Sequence, residues 1–142
     1  MSGTMFSIGR DAQLVIVGPK GRLDLSFVSG FEAHQLTQSV RVSRLDGTQM
    51  GTELPKGWEG TFEIERSNAA VEDFIAATEQ AFFDGALPAT ATMYHYIAEP
   101  DGSVSTYQFD GVTFRLASAG QWRGDTSVKQ KLEFFATRRR RT

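Results

Sequence analysis

GWEGTFEIERSNAAVEDFIAATEQAFFDG, residues 57–85, contains a strand that leads directly into a helix. Phe62 and Ile64 alternate with Glu63 and Glu65, which is the period of two of a half-buried strand. After this strand the period changes, because the apolar residues recur every three or four positions and the acids lie mostly on the opposite side. The stretch therefore predicts one amphipathic helix packed on a β-sheet.

Capping residues mark the ends of this helix. Ser67 or Asn68 is the expected N-cap, because its side-chain oxygen can accept a hydrogen bond from a free backbone N–H. Glu72 and Asp73 lie in or near the first turn, where negative charge is favourable. Gly85 suits the left-handed position that ends a helix.

The rest of the chain is predicted to form strands separated by turns. Gly18, Pro19, Lys20 and Gly21 suit one hairpin turn, and Pro100, Asp101 and Gly102 suit another. Alternating or continuous apolar residues predict strands at residues 12–17, 22–27, 38–44, 91–98, 104–109, 112–116 and 128–134. This order predicts a mainly β fold with one helix, a two-sheet antiparallel sandwich or barrel.

Composition favours a single domain over residues 1–142, since 40% hydrophobic residues suffice for one core. The absence of cysteine excludes disulfides, thiolate metal sites and thiol redox chemistry. The first residues lack the pattern of a signal peptide, and no stretch has the roughly 18 apolar residues of a membrane span. We expect a soluble protein made in the cytoplasm, with no membrane partner.

Candidate catalytic residues are few. His34 and His95 are expected in different strands, each as a half-exposed residue without a local partner motif. No metalloprotease, nucleophile-elbow or phosphate-loop motif is present in the sequence. The paired carboxylates, Glu63 with Glu65 and Glu72 with Asp73, are explained by solvation, because they lie on the solvent-exposed faces of the predicted strand and helix. The sequence predicts neither an enzyme nor a cofactor.

The segment LDGTQMGTELPKG, residues 45–57, is predicted to be a long polar loop, because it shows neither a helical nor a strand period. Ordering such a loop costs about 1–2 kcal/mol per residue. We therefore expect it either to stay mobile or to be ordered by a partner.

The only run of like charges is Arg138 to Arg141, in a basic C-terminal tail over residues 138–142. The formal net charge is −2, and without these four arginines the rest of the chain carries −6. The run could bind phosphates, but the chain lacks the recognition helix or the exposed aromatic side chains of a nucleic-acid-binding module. A frayed, solvated end or an interface tail is the preferred interpretation.

Aromatic residues are assigned mainly to the core. Tyr94 and Tyr96 lie on one face of their strand, and the other face is also bulky, which favours a covered surface and hence oligomerisation. Trp58 and Trp122 border loops, where an amphipathic ring suits a subunit interface or the rim of the domain. The expected core positions are Phe62, Phe74, Phe82, Phe109, Phe114 and Phe134.

The strand and helix of residues 57–85, the Pro-Asp-Gly hairpin and the closing strand KQKLEFFATRR, residues 129–139, together resemble tail tube proteins of tailed bacteriophages, especially contractile-tailed ones. The resemblance implies a two-sheet β fold with a flanking helix. It also implies homohexameric rings that stack into a hollow tail tube, and thus a structural virion protein without enzymatic activity.

The resemblance further implies that the segment 45–57 reaches the neighbouring ring. Its contact residues would be Thr48, Met50, Leu54 and Pro55, with Trp58 anchoring its return. Further partners would be the tail sheath, baseplate and tape-measure proteins.

The tube lumen would pass DNA without binding it, so an acidic wall is expected, with Glu63 and Glu65 as candidate lumen-facing residues. An outer solvated face is the alternative for these two. Arg138 to Arg141 would then lie outside the lumen, in contact with a sheath.

Two other functions fit the sequence. A tube protein of a type VI secretion system or another contractile injection system would share the fold. A monomeric β-barrel that binds a small ligand in its interior belongs to a different class.

Overall fold

The computed structural model of the chain describes residues 12–18, 21–25, 28–85 and 90–142. Within these ranges it contains eight strands and one helix. The elements are β1 (Ala12–Gly18), β2 (Gly21–Leu25), β3 (Val28–Ser43), β4 (Gln49–Glu65), α1 (Ala70–Phe83), β5 (Ala91–Ala98), β6 (Val104–Ser118), β7 (Lys129–Ala136) and β8 (Arg138–Arg141).

The described strands form an open antiparallel sheet in the order β2-β1-β5-β6-β7-β4-β3, with β8 also paired to β6. β6 runs through two half-sheets. Residues 104–112 pair with β5, and residues 113–118 pair with β7. We call β2, β1, β5, β8 and the first part of β6 the first half-sheet, and the rest the second half-sheet. The predicted mainly β architecture with one helix is confirmed, as an open sheet rather than a closed barrel.

Gly111 lies where β6 passes from one half-sheet to the other. Its φ of 61° is in the left-handed region, and a Cβ there would lie 2.6 Å from the Oγ1 of Thr137. Thr137 separates β7 from β8, and its N–H donates to the backbone oxygen of Asp110. Glycine thus allows two chain segments to cross between the half-sheets side by side.

Aromatic side chains from both half-sheets fill the space between them. The ring of Phe109 lies 5.5 Å from that of Phe134, and Phe31 lies 5.8 Å from Phe134 and 4.6 Å from His95. Such tilted and stacked pairs add to the stability gained from burial alone. The buried hydrophobic core comprises Leu14, Ile16, Leu25, Phe62, Ile64, Val71, Ala91, Met93, Phe109, Val112, Leu132, Phe134 and Ala136.

Helix α1 packs on the sheet through its N-terminal half, with Val71 buried and Phe74 at 5.8 Å from Phe114. Gly85 has a φ of 86°, which confirms the predicted left-handed end. Phe82 is 62% exposed, so its assignment to the core is wrong. The helical period identifies a face but not how far the supporting sheet extends, and Phe82 packs on Phe83 instead.

The predicted N-cap is also shifted. Ala69 occupies that position without a side-chain cap hydrogen bond, although Asn68 Oδ1 accepts a hydrogen bond from the backbone N–H of Ala70. Of the predicted first hairpin, Pro19, Lys20, Ser26 and Phe27 lie outside the described residues.

The prediction of a long loop at residues 45–57 is wrong. β4 begins at Gln49, and a short turn closes the hairpin, with the N–H of Arg44 donating to the oxygen of Thr48 at 2.9 Å. Both faces of this hairpin are open to solvent, so burial does not impose a clear apolar alternation on its sequence. The predicted strand at 38–44 and the predicted strand around Phe62 and Ile64 are therefore parts of two much longer strands.

The prediction of a frayed end at Arg138 to Arg141 is wrong as well, whereas an interface role for these residues stays a prediction. These residues form β8, and the next residue, Thr142, donates its N–H to the oxygen of Thr106 at 3.0 Å. Alternation along the strand places successive arginines on opposite faces, which relieves their mutual repulsion.

Candidate assembly surface

The outer part of the β3–β4 hairpin, residues 37–56, projects as a two-stranded arm. Nineteen of its twenty residues are exposed and Val40 is half-buried. The register pairs Val42 with Met50 and Gln38 with Leu54. Side chains of directly opposed residues, and of residues two apart, share a face. Val40, Val42, Met50 and Leu54 therefore form one apolar face of the arm.

The opposite face of the arm is polar and internally hydrogen-bonded. Glu53 accepts hydrogen bonds from the hydroxyls of Ser39 at 2.6 Å and Thr37 at 2.8 Å. The bond from Ser39, and to a smaller extent that from Thr37, lowers the pKa of the Glu53 carboxyl below its ordinary value. Nearer the tip, the hydroxyl of Ser43 donates to the side-chain oxygen of Gln49 at 3.0 Å. The arm thus has a defined shape and a face without a partner among the described residues.

A side-chain hydrogen bond and a glycine support the tip of the arm. Asp46 Oδ1 accepts a hydrogen bond from the backbone N–H of Thr48 at 2.9 Å, and Gly47 adopts a φ of 88°. This Asp-Gly pair is a common hairpin signal, and it could have revealed the hairpin from sequence alone.

The five predicted inter-ring residues occupy different parts of the arm. Met50 and Leu54 lie on the apolar face, with exposed fractions of 54% and 42%. Thr48 is in the turn, and Pro55, opposite Thr37, is on the polar face. Trp58 lies at the base of the arm and is half-buried. Sequence reasoning missed Val40 and Val42 as members of the same surface, because it placed them in a half-buried strand.

Trp58 joins the arm to the body of the protein. Its ring meets that of Phe109 edge to face at 6.2 Å, and the guanidinium carbon of Arg139 lies 4.8 Å from its centre. Gly57, next to it, has a φ of 122° and no room for a Cβ, which would lie 2.8 Å from the oxygen of Ala136. The base of the arm is therefore fixed while its outer part is free.

Glu63 and Glu65, the candidate lumen residues, lie on the outer face of the second half-sheet. Their neighbours on β7 are basic: Lys131 is opposite Glu63 and Lys129 is opposite Glu65. The Nζ of Lys129 lies 3.9 Å from Oε1 of Glu63, which also accepts a hydrogen bond from Ser29 at 3.1 Å. The two acids are thus largely compensated, and whether they face a lumen stays a prediction.

The two histidines have different environments. His34, predicted to be half-exposed, is exposed, and its Nε2 lies 2.8 Å from Oε1 of Glu59. His95 is only 9% exposed, so its prediction as half-exposed is wrong. Burial, with a smaller contribution from the nearby charge of Arg139, lowers the pKa of His95. Strand alternation placed His95 with Met93 and Ile97, but could not show that Phe31 of the other half-sheet covers it.

The arginines of β8 divide between two environments. Nε of Arg140 donates to Asp110 at 2.7 Å, and this bond is the main cause of the lowered pKa of the Asp110 carboxyl. Arg139 lies on the opposite side of the strand, against the rings of Tyr107 and Trp58. No local sequence pattern indicates this stacking, since the aromatic partners come from other strands.

Neither a metal site nor a membrane-spanning helix emerges from the described ranges. Among their residues, no three His, Cys, Asp or Glu side chains cluster closely enough to hold a metal ion. None of the helical sequence there is long and apolar enough to cross a membrane.

Several solved structures share this architecture. A chain of the PVC sheath/tube terminator, from an extracellular contractile injection system in its extended state, has a TM-score of 0.63 at 9% identity, with 92% of this chain and 93% of that chain covered. A chain of the anti-feeding prophage cap has a TM-score of 0.62 at 10% identity, covering 100% and 95%. A chain of the native gene transfer agent virion gives 0.53 at 13% identity, covering 96% and 99%.

The fold is that of these tail and injection-system components. The matches extend over nearly the whole of both chains. These neighbours are structural parts of particles rather than enzymes. No protein-family model matches the sequence, and no curated protein matches it significantly.

Proposed function

We propose that this protein is a structural subunit that forms hexameric rings, and that these rings stack into the hollow inner tube of a phage tail through which DNA passes. The single observation that carries the proposal is the arm. It projects from a well-packed domain with an ordered apolar face that meets nothing in the described chain.

A second copy is the expected partner of the arm. An isolated two-stranded hairpin is marginally stable in water, and an exposed apolar face normally marks an interaction site. A tube built of one protein supplies the same surface to every arm. Docking of an arm on a different surface of the next copy is a heterologous contact, which generates closed rings or extended stacks.

The edges of the open sheet support the same proposal. β2 and β3 lie at its two ends, and β8 is bonded to β6 on one side. Unpaired edges invite pairing with other chains, and closure into a ring removes them in a controlled way. Within such a tail we propose that sheath, baseplate and tape-measure proteins are further partners, with no membrane partner and no enzymatic role for the chain itself.

In this proposal the protein is made in the cytoplasm of the bacterial host and resides in the virion tail. DNA passes the lumen without specific binding. Glu63 and Glu65 remain candidates for its wall, although the lysines opposite them limit the negative charge that they contribute.

A second candidate function is the tube of a type VI secretion system or another contractile injection system. It is favoured by the higher TM-scores of the injection-system chains compared with that of the gene transfer agent virion. The fold suits a phage tail tube and an injection-system tube alike, and the two differ in what passes through the tube. A small-ligand barrel has less support, because phenylalanine side chains fill the space between the described half-sheets.

Electron microscopy and light scattering of the purified protein test the proposal. We expect rings or tubes with a central hole for the intact chain. Removal of residues 39–42 together with 50–53, which are paired in register, shortens the arm and keeps its turn. Removing four pairs preserves the alternation of faces. This variant should stay folded and fail to stack, whereas an intact chain that is monomeric at every concentration contradicts the proposal.

A further inference from the structure

Arg139 is a cation whose Nε has no acceptor among the described residues. Its guanidinium carbon lies 3.7 Å from the ring centre of Tyr107 and 4.8 Å from that of Trp58, so two aromatic rings hold it in place. The Nε is buried, and no described side chain or backbone oxygen bonds to it. Nor does any described carboxylate form an ion pair with it, although a guanidinium offers five donors.

Two further basic side chains lie on the same side of the first half-sheet. The register aligns His95, Tyr107 and Arg141 across β5, β6 and β8. His95 is nine-tenths buried, and its Nδ1 has no hydrogen-bond partner in the described ranges. Nη2 of Arg141 makes one long hydrogen bond, 3.4 Å, to the hydroxyl of buried Ser105.

The charge of this cluster is uncompensated in the described chain, in contrast to the other face of β8. There Arg140 pairs with Asp110 at 2.7 Å. Buried donors are normally satisfied, and a buried charge is normally paired. The unmet donor of Arg139, held between two aromatic rings and close to two further basic side chains, therefore indicates a missing anion rather than a structural ion pair.

We propose that Arg139, Arg141 and His95 form a binding site for a carboxylate group. Its planar, two-oxygen geometry matches the fork of an arginine, which can bind it through two parallel hydrogen bonds. Arg141 is exposed, so the site is open on one side to the solvent.

The carboxylate can come from a neighbouring copy of the chain or from a free small anion. The first source rests on the proposed function. It is supported by Asp73 and Glu79 of α1, which are exposed and form no ion pair in the described residues. A second copy can thus supply the charge that the first copy lacks.

The free-anion source is tested with acetate. In a Trp122→Phe background Trp58 is the only tryptophan, and its emission reports on the neighbouring Arg139. Acetate replaces chloride at constant ionic strength. A free-anion site predicts a saturable change in emission, with affinity at least tenfold weaker in Arg139→Gln. The matched control is Arg138→Gln, which removes the same charge from the other face of β8 and should leave the response unchanged.

The neighbouring-copy source is tested by the protein concentration at which assembly begins, measured by light scattering. Arg139→Gln should raise this concentration at least tenfold relative to Arg138→Gln. Arg139→Lys keeps the charge and the ring contacts but loses the fork, and should give an intermediate value. Thermal midpoints within a few degrees of the parent identify the variants that remain folded.

The outcomes separate the two sources. An acetate response without an assembly effect supports a free anion, and the converse supports the neighbouring copy. If the intact chain never assembles, the proposed function fails and the acetate titration alone decides on the site. The inference is overturned if Arg139→Gln and Arg138→Gln behave alike in both the acetate titration and the assembly measurement, or in the titration alone where the intact chain does not assemble. It is also overturned if inorganic phosphate binds tenfold more tightly than acetate.

Discussion

Replacement of the apolar face of the arm should strongly weaken assembly while the domain stays folded. The variant carries three changes to polar residues of similar size, each at a position already exposed in the free chain: Val42→Thr, Met50→Gln and Leu54→Gln. Threonine and glutamine keep the strand conformation, and no described side chain of the body loses a core contact. The thermal midpoint of the unassembled protein should therefore change little.

The expected magnitude follows from the area that remains to be buried. Full burial of such a side chain contributes about 1.5–3 kcal/mol, and roughly half of each one is still exposed, so docking would gain about 0.8–1.5 kcal/mol per residue. The three together give about 2.4–4.5 kcal/mol per subunit. At about 1.4 kcal/mol per factor of ten, the concentration needed for assembly should rise roughly 50-fold to 1,600-fold.

The assay is sedimentation of assembled protein across a dilution series, with negative-stain microscopy of the pellet. The matched control changes the polar face of the same hairpin by a similar number of atoms: Arg41→Lys, Ser43→Thr and Gln49→Asn. This control should assemble like the parent. If both variants assemble at the parental concentration, the apolar face is not a docking surface, and if both fail equally, integrity of the arm rather than its apolar face is what matters.

Two further predictions concern the folded domain. Gly60→Ala should destabilise the protein by roughly 1–3 kcal/mol or more, since the new Cβ would lie 2.0 Å from the backbone oxygen of Glu32. The control is Gly30→Ala, whose new Cβ has no atom within 4 Å, and it should keep the parental denaturation midpoint. Burial lowers the pKa of His95 from its ordinary value of 6.5, so the folded state resists its protonation and stability should fall as the pH drops below about 6.5. His95→Phe should show a smaller loss of thermal midpoint between pH 8 and pH 5 than His34→Gln, and equal losses would contradict this reasoning.

The sequence predicted those elements whose pattern is set by one-sided burial. The strand at residues 91–98 has the bounds of β5, and Phe62 and Ile64 are buried as their period indicates. Helix α1 was recognised by its period, and its left-handed end by Gly85. These features are local, because each follows from side chains a few residues apart and a single core that covers one face.

The arm and β8 could not be predicted in the same way. The arm is exposed on both faces, so a rule based on burial reads it as a loop, although Asp46 and Gly47 mark its turn. β8 is a run of four arginines, and it contacts Asp110 and Tyr107 of β6, which lie far from it in the sequence. Contacts with a distant strand decide the case of β8, and exposure on both faces decides that of the arm. No local period encodes either one.

The position of β7 has a consequence for synthesis. Within the described sheet, β3 and β4 connect to the other strands only through β7, which the ribosome makes long after both of them. At roughly 5–20 residues per second, the hairpin is completed several seconds before its only neighbour emerges. Throughout that interval the apolar face of the hairpin has been synthesised, but the rest of the domain, which holds the hairpin at a fixed angle, has not. A chain interrupted before residue 129 would carry a docking element with no defined orientation, and so would be excluded from any lattice that demands one.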